Sequence, residues 1–333
     1  MESFQEQHKQ QQVIYKNGGF VYESTPDTPQ PGPGQVLIEV NYSTINPYDR
    51  LIFGKNQEEG FIMGSDGCGY VIQVGEGVDS DKYLNKLVSF NKGGWSRYAV
   101  KDTNNLILYD NKDFDARNAA NAYINPLTAC AMLDFAKTHK ATGVVILAAS
   151  SQLAKQLIKL CQKEGIETVN IVRKDEQVHE LKTSLSAKYV FNQEKENFIQ
   201  DLQQVMDEVK PTVLFECLGG DLPGKVFATM PANSWMVVYG SLTKTNPSFD
   251  SYDFRWKNKN ITSLILHRWL TSLTPEQQQE WFKYVADDLQ YKNGDIFGSK
   301  IIKEVKLEDW FESMNESEKF ASEGKYIIKC KRE

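Results

Sequence analysis

Apolar positions fall in short runs between turn residues over the first third of the chain, and in alternating strand-length and helix-length blocks after it. Residues 35–40 alternate apolar and polar side chains, and 67–78 read as a strand with Gly75-Glu76-Gly77 as its turn. Residues 84–90 and 95–100 are two more short strands. Ahead of them, 26–34 is turn-rich and ends Pro31-Gly32-Pro33-Gly34. Many short strands with glycine turns predict a partly open β-barrel-like domain. From Phe114 the pattern turns helical and Ala-rich through 118–137. Asn125-Pro126 starts a new helix inside that run, because proline is favoured in a first turn.

Residues 142–174 form the most informative block. Residues 144–148 (VVILA) have a buried-strand pattern, and the short turn Ala149-Ser150-Ser151-Gln152 follows. A helical run covers 153–163 and Gly165 stops it, and a second strand at 168–172 ends on Arg173-Lys174. A strand–helix–strand unit of this length is the kind that binds a dinucleotide. Short apolar strands recur at 188–191, 212–217, 235–239 and 261–266, separated by helical or turn stretches. That alternation predicts a parallel sheet flanked by helices. Thr274-Pro275-Glu276 opens a helix running to about Tyr291. Strands return at 299–305 and 325–329 and are expected to rejoin the first domain.

Composition removes several function classes. With 333 residues, 41% hydrophobic and 25% charged, the chain is an ordinary soluble globular protein, long enough for two cores. A net charge of −6 gives no reason to expect a nucleic-acid surface. No apolar run approaches the ~20 residues that span a membrane, so membrane insertion is not expected. The five cysteines are scattered without a CxxC pair and read as free thiols in a reducing compartment. Residues 1–12 are Gln-rich, lack the apolar core of a signal peptide, and contain Glu2 and Glu6 but no Arg. A cytosolic location is expected, with a mitochondrial one as the alternative.

Five motifs in order carry a resemblance. They are Ile45-Asn46-Pro47-Tyr48-Asp49; Gly64-Ser65-Asp66-Gly67-Cys68-Gly69 with Val74-Gly75; Asn125-Pro126-Leu127-Thr128-Ala129; Phe215-Glu216-Cys217-Leu218-Gly219-Gly220; and Val238-Tyr239-Gly240-Ser241-Leu242. Over about 31–329 the chain resembles the medium-chain dehydrogenase/reductase superfamily, most closely its zinc-independent quinone oxidoreductases and 2-enoyl thioester reductases. The resemblance implies an α/β fold. A β-rich, partly open barrel (GroES-like) substrate domain covers 1–122 and 268–333, and a Rossmann-type parallel-sheet domain that binds the nucleotide covers 123–267. Zinc-containing members ligate a catalytic metal where this chain has Thr44-Ile45-Asn46-Pro47 and Ser65, and they carry a four-cysteine lobe that is absent here. None of the four histidines lies near these motifs, so no metal is expected.

The resemblance also assigns roles. Asn46 and Tyr48 sit in the segment that lines the nicotinamide end of the cleft in similar proteins. Asn46 is the candidate hydrogen-bond donor to a carboxamide or substrate carbonyl, and Tyr48 the candidate proton donor. On the residues alone, Asn46 reads also as a turn residue before Pro47, and Tyr48 reads first as a half-buried packing tyrosine. Similar enoyl thioester reductases carry a tyrosine slightly later, but 51–63 contains none. Thr128 is expected to approach the cofactor. Ser150, Ser151 and Gln152 stand where relatives have a glycine-rich turn, and the serines can cap the helix and offer hydroxyls to phosphate. Arg173 and Lys174 follow the second strand, where an acid would accept the ribose 2′-hydroxyl of NAD; a guanidinium instead pairs with a 2′-phosphate. Tyr239, Gly240 and Ser241 end a strand at the carboxyl edge, where open α/β sheets bind ligands.

The expectation is a metal-free, NADPH-dependent reductase acting on an electron-poor C=C or a quinone. A small molecule is its substrate and a second copy its partner, joined through the apolar edge strand that begins at Ile261. The alternative is a weak or inactive family member that serves as a structural subunit of a larger assembly.

Overall fold

A computed structural model of the protein describes residues 9–331. The chain divides into two compact units, Met1–Leu127 with Thr274–Glu333, and Thr128–Leu273. Its strands in chain order are β1 (Gln10–Lys16), β2 (Gly19–Thr25), β3 (Gln35–Thr44), β4 (Asp66–Val74), β5 (Leu87–Asn91), β6 (Tyr98–Asp102), β7 (Ile107–Tyr109), β8 (Gly143–Ile146), β9 (Glu167–Val172), β10 (Tyr189–Asn192), β11 (Val213–Glu216), β12 (Trp235–Val238), β13 (Asn260–Ser263), β14 (Ile301–Lys306) and β15 (Lys325–Lys329).

In the first unit, β3 is the hub of the sheet β14-β15-β3-β4-β5-β7, and β6 also pairs with it. The C-terminal strands do rejoin this unit: β15 runs antiparallel to β3, with Ile328 opposite Ser43. Val36, Ile38, Val40, Phe90, Trp95 and Ile328 share its core, and each is fully buried. Burying side chains of this size stabilises the fold by roughly 1.5–3 kcal/mol apiece.

The hairpin β1–β2 was not expected from the sequence. Asn17 (φ 52°) and Gly18 (φ 82°) make its turn, and this dipeptide suits a tight hairpin because both residues tolerate positive φ. The strand was hidden because its first residues are glutamines, yet Gln10, Gln11 and Gln12 are all buried. Gln10 accepts from the Tyr98 N–H (2.9 Å) and donates to the Tyr98 carbonyl (2.8 Å), so its amide imitates a ladder partner. The leader reading of residues 1–12 otherwise lies mostly outside the described residues.

The second unit holds a six-stranded parallel sheet ordered β10-β9-β8-β11-β12-β13. The chain moves outward from β8 to β10 and then returns to the other side of β8 at β11. The order therefore reverses between β8 and β11. The helix Gln152–Lys163 buries Ala154, Leu157, Ile158, Leu160 and Cys161, and its lysines fall on the other face. The strand expected at 261–266 is shorter: β13 stops at Ser263, and a helix, Leu266–Ser272, begins where the strand was expected to end. The apolar letters misled because Ile265 is an exposed residue that caps the following helix, while Ile261 is exposed on the sheet edge.

Candidate active site

In the first unit, β3 leads directly into a tight corner. Pro47 occupies the first position of the helix Pro47–Phe53, and Asn46 caps it in an extended conformation. The Asn46 N–H donates to Asp49 Oδ2 (2.7 Å), and the other Asp49 oxygen accepts the Ser65 N–H (2.8 Å). One carboxylate thereby ties the helix start to the segment entering β4.

The Asn46 side chain is equally engaged. Its Nδ2 donates to Asp66 Oδ2 (2.8 Å), Ser65 Oγ (3.0 Å) and Thr44 Oγ1 (3.2 Å). Its Oδ1 accepts from Lys325 Nζ at 2.6 Å. Asp66 Oδ1 takes the N–H groups of Ile124 (2.9 Å) and Tyr123 (3.1 Å) at the start of the helix Ile124–Thr138. Arg50, on the same short helix, donates to the Met314 carbonyl (3.2 Å) and Ser317 Oγ (3.0 Å).

Asn46, Asp49, Asp66 and Lys325 are all nearly inaccessible to water, with exposures of 1%, 0%, 1% and 7%. Burial disfavours every charged form in the group. It raises the Asp49 carboxyl to about 7, against opposing hydrogen bonds from Asn46 and Ser65. It raises Asp66 to about 6, against hydrogen bonds from Ile124 and Asn46 and the charge of Lys325. It lowers Lys325 to about 8, against the attraction of Asp66 and Asp49. Near neutral pH, Asp49 is therefore poised between its charged and neutral forms.

Of the two sequence-expected catalytic residues, the corner takes in only Asn46. Its amide is consumed by protein partners, so a bond from it to a substrate carbonyl requires exchanging one of them. Tyr48 lies on the first turn of the helix, 53% exposed and outside this network. Lys325 was not singled out from the sequence. Its signal is a lysine opening a strand, Lys-Tyr-Ile-Ile-Lys, whose first four residues are all buried. Among the described residues, no group of three or more His, Cys, Asp or Glu side chains is placed to hold a metal.

In the second unit, the turn after β8 is built without glycine. Ala148 adopts φ 50°, a left-handed conformation that glycine would adopt without strain. The turn is pinned on both sides: the Leu147 N–H donates to the Phe215 carbonyl (3.3 Å), and the Ala149 N–H to the Ile171 carbonyl (3.0 Å). Ser151 caps the helix, accepting the Ala154 N–H at 3.2 Å. Ser150 and Gln152 beside it are buried. The turn thus places a capped helix N-terminus, with its partial positive charge, at the carboxyl end of the central strands.

Arg173 and Lys174 are exposed and follow β9 directly. The Arg173 N–H donates to Gln177 Oε1 (3.1 Å), and its guanidinium has no ion-pair partner among the described residues. Thr128 is buried in the second turn of the helix Ile124–Thr138. Tyr239 follows β12, half-buried; loss of solvent pushes its hydroxyl upward, as does the neighbouring Cys217 thiol. Gly240 has a local reason: a Cβ there would sit 2.9 Å from the Cys217 Cβ. Ser241 follows it, half-buried. Glu216, named in the sequence only as part of a motif, is fully buried and accepts the N–H groups of Leu218 (2.5 Å) and Gly219 (2.6 Å), fixing the turn after β11.

The chain as a whole is similar to known proteins. Residues 32–109 match the alcohol dehydrogenase GroES-like domain. A mitochondrial enoyl-[acyl-carrier-protein] reductase of Caenorhabditis elegans is 26% identical over 299 residues, covering 85% of this chain and 84% of the relative. A solved structure from Mesorhizobium loti, described as an NADPH:quinone reductase, superposes with a TM-score of 0.83 at 24% identity, over 96% of this chain and 98% of that one. The structure of an Etr1p complex with NADP and crotonyl-CoA superposes with a TM-score of 0.78 at 19% identity, over 96% and 99%. The GroES-like match, the parallel nucleotide-type sheet and these likenesses together support the resemblance to the medium-chain dehydrogenase/reductase superfamily and its quinone- and enoyl-reductase-like branch.

Proposed function

We propose that the protein is an NADPH-dependent reductase of an electron-poor C=C, with enoyl thioesters as the first substrate class and quinones as the second. The observation that carries this reading is the exposed guanidinium of Arg173 at the end of β9, beside Lys174 and without an ion-pair partner among the described residues. A 2′-phosphate brings the negative charge that such a pair lacks. The enoyl thioester preference is supported by the enoyl reductase relatives.

The chain's residues fit the cofactor. The capped turn 148–151 offers backbone N–H groups and two hydroxyls to a pyrophosphate, and Thr128, Gln152, Tyr239, Gly240 and Ser241 are the further candidates for contact. NADPH supplies the hydride. In the other unit, the Asn46 corner is the rigid element, and Tyr48 is the exposed acid on it that can donate a proton to the substrate carbon. A Tyr48→Phe variant tests that role separately. The relatives' mitochondrial names favour the mitochondrial alternative over the cytosolic one.

The test is to follow oxidation of NADPH with crotonyl-CoA and, in parallel, with a simple benzoquinone. Turnover with crotonyl-CoA, faster with NADPH than with NADH, is the expected result. Binding of NADPH without turnover of either substrate contradicts it. A second reading, an inactive structural subunit, is favoured by one observation: an alanine holds the strained position of the turn. Absence of binding by either nucleotide would support it.

A further inference from the structure

We propose that Lys325 is a positioning residue: its ammonium, bonded to Asn46 Oδ1 and set near Asp49 and Asp66, locks the Asn46 amide and with it the corner between β3 and β4. The significance for turnover rests on the reductase reading; the structural claim does not.

The argument begins with the amide. An asparagine side chain can be flipped by half a turn with little change of shape, so its neighbours must decide which end is oxygen. A lysine ammonium only donates, and an ionised carboxylate only accepts. Lys325 on one end of Asn46 and Asp66 on the other therefore permit a single orientation. That orientation lets Nδ2 reach Thr44 and Ser65 as well, so one cation in β15 sets four contacts across β3, β4 and the helix start.

Charge supplies the second line. Four charged groups share this buried region: Asp49 and Arg50 from the helix Pro47–Phe53, Asp66 from β4, and Lys325 from β15. Arg50 is committed to Met314 and Ser317, which leaves Lys325 as the cation bonded to the Asn46 amide. Removing one member of a buried charge group costs more than removing opposite members together, because the survivor is left without compensation. Lys325→Met should therefore be more harmful than Lys325→Met combined with Asp66→Asn. A lysine that merely fills space predicts the opposite order.

The experiment is native-state hydrogen exchange on wild type, Lys325→Met, and Lys325→Met/Asp66→Asn, followed in peptides covering Asn46 and Ser65 and, as a control, β11. The Asn46 and Ser65 amides, both held by Asp49, should exchange about tenfold faster or more in Lys325→Met, with β11 unchanged. The double variant should recover at least part of the protection. With crotonyl-CoA, kcat should fall about tenfold or more in Lys325→Met while KM for NADPH stays within about threefold. Unchanged exchange at Asn46 and Ser65, or a double variant no better than the single one, overturns the proposal. If Lys325→Met does not fold, Lys325→Gln decides: it can still donate to Asn46 without charge, and wild-type protection there overturns the role of the cation. If wild type proves inactive with crotonyl-CoA, the reductase reading fails while the exchange data still decide this one.

Discussion

Lys325 Nζ lies 2.6 Å from Asn46 Oδ1, so the last strand of the chain grips the corner that follows β3. The two residues are 279 positions apart, and the bond closes the first unit across the whole intervening second unit of the sequence. The fold of the first unit therefore needs its C-terminal strand for the geometry of its polar corner as well as for its core.

The carboxyls of that corner give stability a defined pH dependence. Asp49 and Asp66 have pKa values of about 7 and about 6 when folded, above the ordinary value of about 3.9. Between about pH 4 and 7 the folded state therefore binds more protons than the unfolded state, and stability falls as pH rises. Lys325, lowered to about 8, acts in the opposite sense above that pH. These groups are thus least favourable to folding between about pH 7 and 8. Melting temperatures of wild type and Asp49→Asn across pH 5 to 8 check this. The variant should show the shallower slope, and parallel curves would contradict the assignment.

Asp49→Ala should destabilise the protein outright. It leaves the buried N–H groups of Asn46 and Ser65 without the acceptor that holds both. The expected cost is about 1–3 kcal/mol, read from denaturant midpoints at pH 5, where burial keeps the native side chain largely neutral and the two folded states differ little in charge. A change below about 0.5 kcal/mol would place those N–H groups elsewhere, since surface-like sites behave that way.

Ala148 offers a stabilising substitution. An L-residue in the left-handed region costs roughly 1–2 kcal/mol, and glycine returns part of that gain as unfolded-chain entropy. Ala148→Gly should raise stability by up to about 1 kcal/mol, and Ala148→Val should lower it. Chemical denaturation of the three proteins settles the order.

The outer edge of β13 points to a dimer. Among the described residues β13 pairs only with β12, at the end of its sheet; Ile261 is exposed on it, and Ile265 is exposed two residues beyond the strand. Light scattering should give about twice 38.0 kDa, and Ile261→Lys should shift it towards the monomer. A wild-type monomer at micromolar concentration would contradict this.

Much of the fold was legible because parallel strands buried on both faces read as apolar runs. β8 and β12 each appear as one, and β11 as one ending on Glu216, whereas β9 carries the buried Asn170 within it. The helix Pro275–Tyr291 was legible through Thr274, which caps it together with Gln277. β1 was not, because its buried glutamines satisfy their amides through distant partners such as Tyr98. Lys325 was missed for the same reason. A polar side chain in a strand looks solvent-facing until its partner, here 279 residues away, is known.

The central claim is that the second unit binds NADPH through Arg173. The most direct measurement is titration of NADPH and NADH into wild type and Arg173→Ala, followed by nicotinamide fluorescence. Each charge-assisted bond to the 2′-phosphate is worth about 1.5–3 kcal/mol, and Arg173 and Lys174 are exposed, so the lower end applies. Wild type should prefer NADPH by about tenfold or more, and Arg173→Ala should lose most of that preference while NADH affinity stays the same. Equal affinities in wild type, or an unchanged ratio in the variant, would contradict the account.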